Sequence, residues 1–215
     1  MTFVSRYFAG TLLGLVLTAG LPAASTEAAS HDFAPSAFLP RGQARALPID
    51  GLVVGGLRLR LGVTTLDRIA AQMGDGHLRY NPRTGRHALC YTIPAPRGPQ
   101  TLWFVSRDGP DNVSLVLSEI QALDSPGPIP RLDCPIPQAS VRPLFFAPGI
   151  WLGETRHMLI DRLGEPSATR GTTLLFVFDA PLAGQPAPEH SVGLVRAELR
   201  DGSVVALTAA ERVTQ

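Results

Sequence analysis

The sequence predicts an α+β fold of two tandem units, each a helical segment packed on a three- to four-stranded antiparallel sheet. Three observations carry this. A short phrase occurs twice: Leu61-Gly62-Val63-Thr64 opens a helical stretch closing at Met73-Gly74, and Leu152-Gly153-Glu154-Thr155 opens another closing at Leu163-Gly164-Glu165-Pro166. Each stretch is followed by short runs with strand alternation and turn signals. Shifted by 90 residues, Gly74 falls on Gly164, Val105 on Val195, Asp111 on Asp201 and Leu117 on Leu207. These are the capping, turn and core positions that two copies of one supersecondary unit would share.

Taken in order, residues 1–30 read as a secretory signal peptide. Arg6 is the only charge before Glu27, and Phe8 to Leu21 is apolar apart from Thr and Gly. That run is too short for a typical membrane span, and small residues follow it. Residues 31–50 carry Pro, Ala and Arg without a sustained period and read as a flexible leader. The first unit covers 51–122. Its helix places Leu66, Ile69, Ala70 and Met73 on one apolar stripe, with Thr64 as the expected cap and Gly74 as the stop. Strands are expected at His77–Tyr80, His87–Ile93, Leu102–Ser106 and Val113–Ile120. In the last of these Val113, Leu115, Leu117 and Glu119 should share a face.

A Pro-rich linker, 123–143, leads to the second unit, 144–215. Here Leu159, Ile160 and Leu163 face inward and Thr155 caps. Thr173–Phe178 is a strongly apolar strand, and a Pro/Ala loop runs from Pro181 to Glu189. Val192–Leu199 and Val204–Leu207 form a hairpin around Asp201-Gly202, a favoured two-residue turn.

Composition narrows the function classes. All 19 basic residues are Arg and 18 residues are acidic, so the net charge is +1 and there is no basic run. Nucleic-acid binding, which needs a positive field to meet phosphates, is disfavoured. The absence of Lys reads as the coding bias of a GC-rich bacterium. Cys90 and Cys134 are the only cysteines. In an exported protein such a pair reads as a disulfide, and the alternatives are a metal site or a reactive thiol. In the chain-entropy model this bridge restricts the unfolded chain by about 4 kcal/mol. A metal site would want further His or Cys ligands at short spacing, and Cys90 has only His87 nearby.

The second phrase, Leu152-Gly153-Glu154-Thr155 to Leu163-Gly164-Glu165-Pro166, resembles the helix motif of exported proteins with the β-lactamase-inhibitor-protein fold. BamE/SmpA-type outer-membrane assembly lipoproteins share that helix-plus-sheet unit. The resemblance implies a helical segment on an antiparallel sheet, with tandem copies able to form a concave surface. It covers two stretches of about 15 residues and the strand order after them. The first copy departs, with Gly74-Asp75-Gly76 in place of Gly-x-Pro, and no cysteine follows the apolar run for lipidation. The motif residues are structural, so the resemblance assigns no catalytic role.

The chain carries few signals of catalytic chemistry. No histidine sits in a zinc-site spacing and no G-x-S-x-G elbow exposes a serine. His157 lies at helical spacings from Glu154 and Asp161, which would orient an imidazole for base catalysis or merely pair charges on a solvated helix face. Asp108 to Asn112 fits a turn better than a calcium loop. Trp103 should face away from the core of its meander, where it would either anchor a partner or be covered by the second unit; Arg196 and Glu198 share an exposed face, where they would rim a partner surface or merely pair across a strand. These three are the candidate partner-binding residues.

The leading expectation is a periplasmic or secreted, noncatalytic binding protein of a Gram-negative bacterium. It would be an inhibitor, immunity or envelope-assembly partner that binds another exported protein through a sheet surface. It would use no cofactor, metal or nucleic acid, and keep no stable membrane anchor after signal cleavage. The alternatives are a carrier of a small apolar ligand and a hydrolase with a site near His157.

Overall fold

Strand-forming residues dominate the chain, and the computed structural model describes them within residues 49–74, 76–82, 84–106, 115–124, 134–138, 140–181 and 190–214. The signal peptide, residues 31–48 of the leader, the Asp108–Asn112 turn, residues 125–133 of the linker and the 182–189 loop lie outside the described residues, whereas Ile49, at the end of the leader, is buried in the core. All described residues belong to one compact unit. In chain order they form β1 (Gly51–Val54), β2 (Leu57–Arg60), α1 (Leu66–Met73), β3 (Arg79–Asn81), β4 (Arg86–Ile93), β5 (Gln100–Ser106) and β6 (Leu117–Asp124). There follow β7 (Leu144–Phe146), α2 (Arg156–Leu163), β8 (Ala168–Arg170), β9 (Thr173–Pro181), β10 (His190–Arg200) and β11 (Ser203–Thr214).

This corrects the expected α+β pair of helix-on-sheet units. The described residues form a mostly β protein with two helices of eight residues each. Eight strands make one antiparallel sheet in the order β3-β4-β5-β6-β11-β10-β9-β8. The physical reason lies at the seam. A separate four-stranded meander would leave β6 or β11 as an edge of unpaired backbone groups. Instead β6 and β11 pair with each other, from Glu119 against Ala210 to Leu123 against Ala206. Two turns of helix are too short to form a layer of their own.

The inner face of the large sheet carries Leu89, Tyr91, Ile93, Leu102, Phe104, Ile120, Leu174, Phe176, Val195 and Leu207. Against it pack Leu66, Ile69 and Met73 of α1, Leu159 and Leu163 of α2, and a second, three-stranded sheet. That small sheet has the order β2-β1-β7 and contributes Leu52, Val54, Leu59, Leu144 and Phe146 to the same core. The pairing of β1 with β7 brings together the segments that precede the two repeated phrases.

The phrase itself docks each helix entry onto the last strand of its meander. The Gly62 N–H donates to the Leu117 carbonyl at 2.8 Å, and Gly153 N–H donates to Val204 at 2.8 Å. In return Leu117 N–H reaches the Thr64 carbonyl at 2.7 Å, and Val204 N–H reaches Glu154 at 2.8 Å. Both glycines have positive φ, +70° and +89°, which a side chain would strain. The first copy holds one extra residue between glycine and cap. The cap is therefore Thr65, not Thr64: its hydroxyl accepts from the Arg68 N–H at 3.4 Å. Thr64 is buried, and its hydroxyl accepts from the Arg60 N–H at 2.8 Å. Thr155 caps α2 as expected, accepting from Met158 N–H. Thr65→Ala should cost about 1 kcal/mol, read from the urea midpoint, while Thr65→Ser should stay near wild type. An unchanged midpoint for Thr65→Ala would show that the cap carries no stability.

A second correction concerns β6. Leu117 is fully buried while Glu119 faces the other way, so the two do not share a face. A register shift opposite Val105 and Ser106 inserts one residue, and such a bulge reverses the alternation beyond it.

Candidate partner-binding face

The site is built from strand alternation alone. Along β9 the residues alternate, with Leu174, Phe176 and Phe178 buried and Thr173, Leu175 and Val177 half-buried. Along β10 Val195 and Ala197 are buried, whereas Val192, Leu194, Arg196 and Glu198 are half-buried. Ala206, Thr208 and Ala210 continue the pattern on β11. Cross-strand register joins these into rows, with Val177 beside Leu194 beside Ala210, and Leu175 beside Arg196 beside Thr208. Leu175, Val177, Val192 and Leu194 thus form an aliphatic patch on the face opposite the core, each of them half-buried.

Polar groups rim this patch and satisfy one another. The Arg196 guanidinium pairs with the Glu198 carboxylate two residues along the strand. Toward the first half of the sheet, Arg86 lies 2.9 Å from a Glu119 oxygen. It also donates to the Ser106 carbonyl and the Ser118 hydroxyl, each at 3.1 Å. Gln121 donates its side-chain amide to the other Glu119 oxygen. Because these charges are paired within the sheet, the rim offers shape and polarity with little net charge.

The first half of the same face is closed. Cys90 and Cys134 form the disulfide that the cysteine count suggested, with Cα atoms 5.2 Å apart. Trp103 lies directly opposite Cys90 in the register and is 5 % exposed. It packs with both cysteines and with Ala88 and Leu123, and the Arg79 guanidinium sits 5.7 Å from its ring centre. Trp103 does face away from the main core, but the cover comes from the disulfide segment. Of the three candidate residues, Arg196 and Glu198 sit beside the half-buried patch and Trp103 is covered by the disulfide.

His157 and Asp161 approach to 3.3 Å on a solvated helix face, their side chains 85 % and 59 % exposed. Glu154 is turned to Arg162, 3.8 Å away, so the three residues named for a hydrolase do not converge. Among the described residues no group of three or more His, Cys, Asp or Glu is placed to hold a metal ion. No described helix is long and apolar enough to cross a membrane.

Leu175, Val177, Val192 and Leu194 were the residues that sequence reasoning passed over. The signal was present in Leu174-Leu175-Phe176-Val177-Phe178, which is apolar on both faces where a half-buried strand needs only one. Comparison of the chain with family models, with curated proteins and with solved structures yields no match.

Proposed function

We propose that this chain is an exported, noncatalytic binding protein that holds another exported protein against the outer face of β9, β10 and β11. The observation that carries the reading is the aliphatic patch of Leu175, Val177, Val192 and Leu194, placed on a rigid sheet and rimmed by paired charges. An apolar patch with a polar rim is the common anatomy of a protein-binding surface. At about 4.8 Å per strand, three to four strands span roughly 15–20 Å, a few side chains across. The Arg196–Glu198 and Arg86–Glu119 pairs each neutralise themselves, so the partner is best matched by an aliphatic or aromatic centre. The disulfide supports an oxidising compartment, where such bonds persist. The resemblance of the repeated phrase to β-lactamase-inhibitor-protein-like units supports the use of a sheet as the binding platform.

The test is an affinity capture from periplasmic extract with the chain lacking residues 1–30, repeated with Leu194→Arg and with Met158→Arg. Met158 is exposed on α2, away from the patch. A specific partner should be retained by Met158→Arg and weakened at least about tenfold by Leu194→Arg, as for a charge forced into an apolar interface centre. Recovery of a small molecule with no protein, or equal capture by both variants, would sink the proposal. Thermal midpoints near wild type for both variants show that folding is not the cause of any loss.

A further inference from the structure

On the outer face Cys134 covers Trp103, and it begins a strap of five residues, Cys134-Pro135-Ile136-Pro137-Gln138. They run beside β4 beyond the short pairing of β3, which reaches only Arg86 to Ala88. Thr92 is the β4 residue they meet. Its N–H donates to the Pro135 carbonyl at 2.9 Å, and its hydroxyl donates to the Cys134 carbonyl at 2.8 Å. Gln138 N–H donates to the Met73 carbonyl at 2.9 Å. Pro135 and Pro137 have no N–H, so this strap accepts from the strand edge without extending the sheet.

Besides the disulfide, half-buried Pro135 and Pro137 and the Gln138 side chain against Gly74 help to hold the strap. Ile136, its large aliphatic side chain, is exposed. Among the described residues three hydrogen bonds and the Cys90–Cys134 bond fix it. Three hydrogen bonds and partial burial are modest compensation for ordering five residues, so the covalent bond carries a large share of the hold. What lies under the strap is also separate. Cys90, Cys134 and Trp103 form a small cluster of their own, on the face opposite the main core.

We propose that the Cys90–Cys134 bond is a local, redox-sensitive latch. Closed, it holds Cys134 against Trp103 and residues 135–138 along the β4 edge and the end of α1. Opened by a dithiol, it frees the strap while the eight-stranded sheet persists, and Trp103 becomes a second exposed apolar group on the outer face. In the exchange the dithiol gives two electrons and two protons to the S–S bond. Two protein thiols form, and the dithiol becomes its own disulfide. This device does not depend on the partner proposed above, since the change is read in the isolated chain.

The test uses a Trp151→Phe chain, in which Trp103 is the sole tryptophan. Acrylamide quenching is measured on the oxidised chain, on the chain treated with dithiothreitol, and on Cys134→Ser. Cutting the bond by either route should give several-fold steeper quenching and a red-shifted emission, with the far-UV sheet signal retained. In the otherwise native chain, hydrogen exchange gives a second readout that does not need Trp151→Phe to fold. The Thr92 N–H should exchange faster by on the order of tenfold or more, with the Phe104 N–H unchanged. Unchanged quenching and exchange would overturn the latch, because the hydrogen bonds alone would then hold the strap. Loss of the sheet signal would overturn it too, because the bond would then be a staple for the whole fold.

Discussion

Leu207→Ala should lower stability by about 2–5 kcal/mol, and Trp103, on the far side of the seam, should report the full loss. Leu207 is fully buried on β11 and stands opposite Ala122 of β6. A large side chain facing a small one fills the seam on the inner face. Truncating it opens a cavity where the two halves meet, and the small neighbours leave little to collapse into it. Trp103 belongs to the first half and Leu207 to the second. Measured in a Trp151→Phe background, a shared sheet predicts one urea transition, with Trp103 fluorescence and far-UV circular dichroism moving together to a lower midpoint. Independent halves predict a Trp103 transition that stays at the wild-type midpoint, and that result would refute the continuous sheet as a cooperative unit.

Gly51→Ala is expected to cost about 1–3 kcal/mol or more through a backbone clash that no rotamer can relieve. A Cβ at this position would overlap the carbonyl oxygen of Leu59, its own register neighbour's predecessor on β2. Since β1 is the middle strand of the small sheet, pushing it off β2 also disturbs its pairing with β7. Gly56, in the turn between β1 and β2, is the contrast. It has open space around it but a φ of +89°. Asn tolerates positive φ better than most residues, so Gly56→Asn should cost little, whereas Gly51→Asn should be at least as harmful as Gly51→Ala. Thermal midpoints for the three variants decide. Equal losses at both positions would show that conformation, and not space, sets the requirement at Gly51.

Local pattern was readable where one element decides the outcome. The stripe of Leu66, Ile69 and Met73 became the buried face of α1, and His87, Leu89, Tyr91 and Ile93 fell on one side of β4. The Asp201-Gly202 turn joins β10 to β11, with Asp201 at φ +51°. What failed was decided at long range. Nothing in the Val204–Leu207 run announces that it pairs with residues near 120. Strands of three or four residues, such as β1, β7 and β8, carry too few positions for a period. The bulge in β6 reversed a correct alternation after one residue. The cap slipped from Thr64 to Thr65 because two adjacent threonines present the same chemistry, and only the docking of Gly62 on Leu117 separates them. As for the site, Arg196 and Glu198 share a face of β10 opposite the core, and the aliphatic residues beside them look like core until the second face of β9 is seen to point away from it.

The seam has a consequence for the time course of folding. β11 is the last described strand in the chain, yet it occupies the middle of the large sheet, between β6 and β10. A polypeptide emerging from its N-terminus can complete β4, β5 and β6 early as a local meander. That early product waits with the seam side of β6 unsatisfied until a partner arrives from nearly ninety residues downstream. Closing so long a loop is slow, because the entropy is lost before the non-local contacts form. The keystone of this arch is laid last, and the interval before it arrives is the period in which the chain is most exposed to wrong pairings with its neighbours.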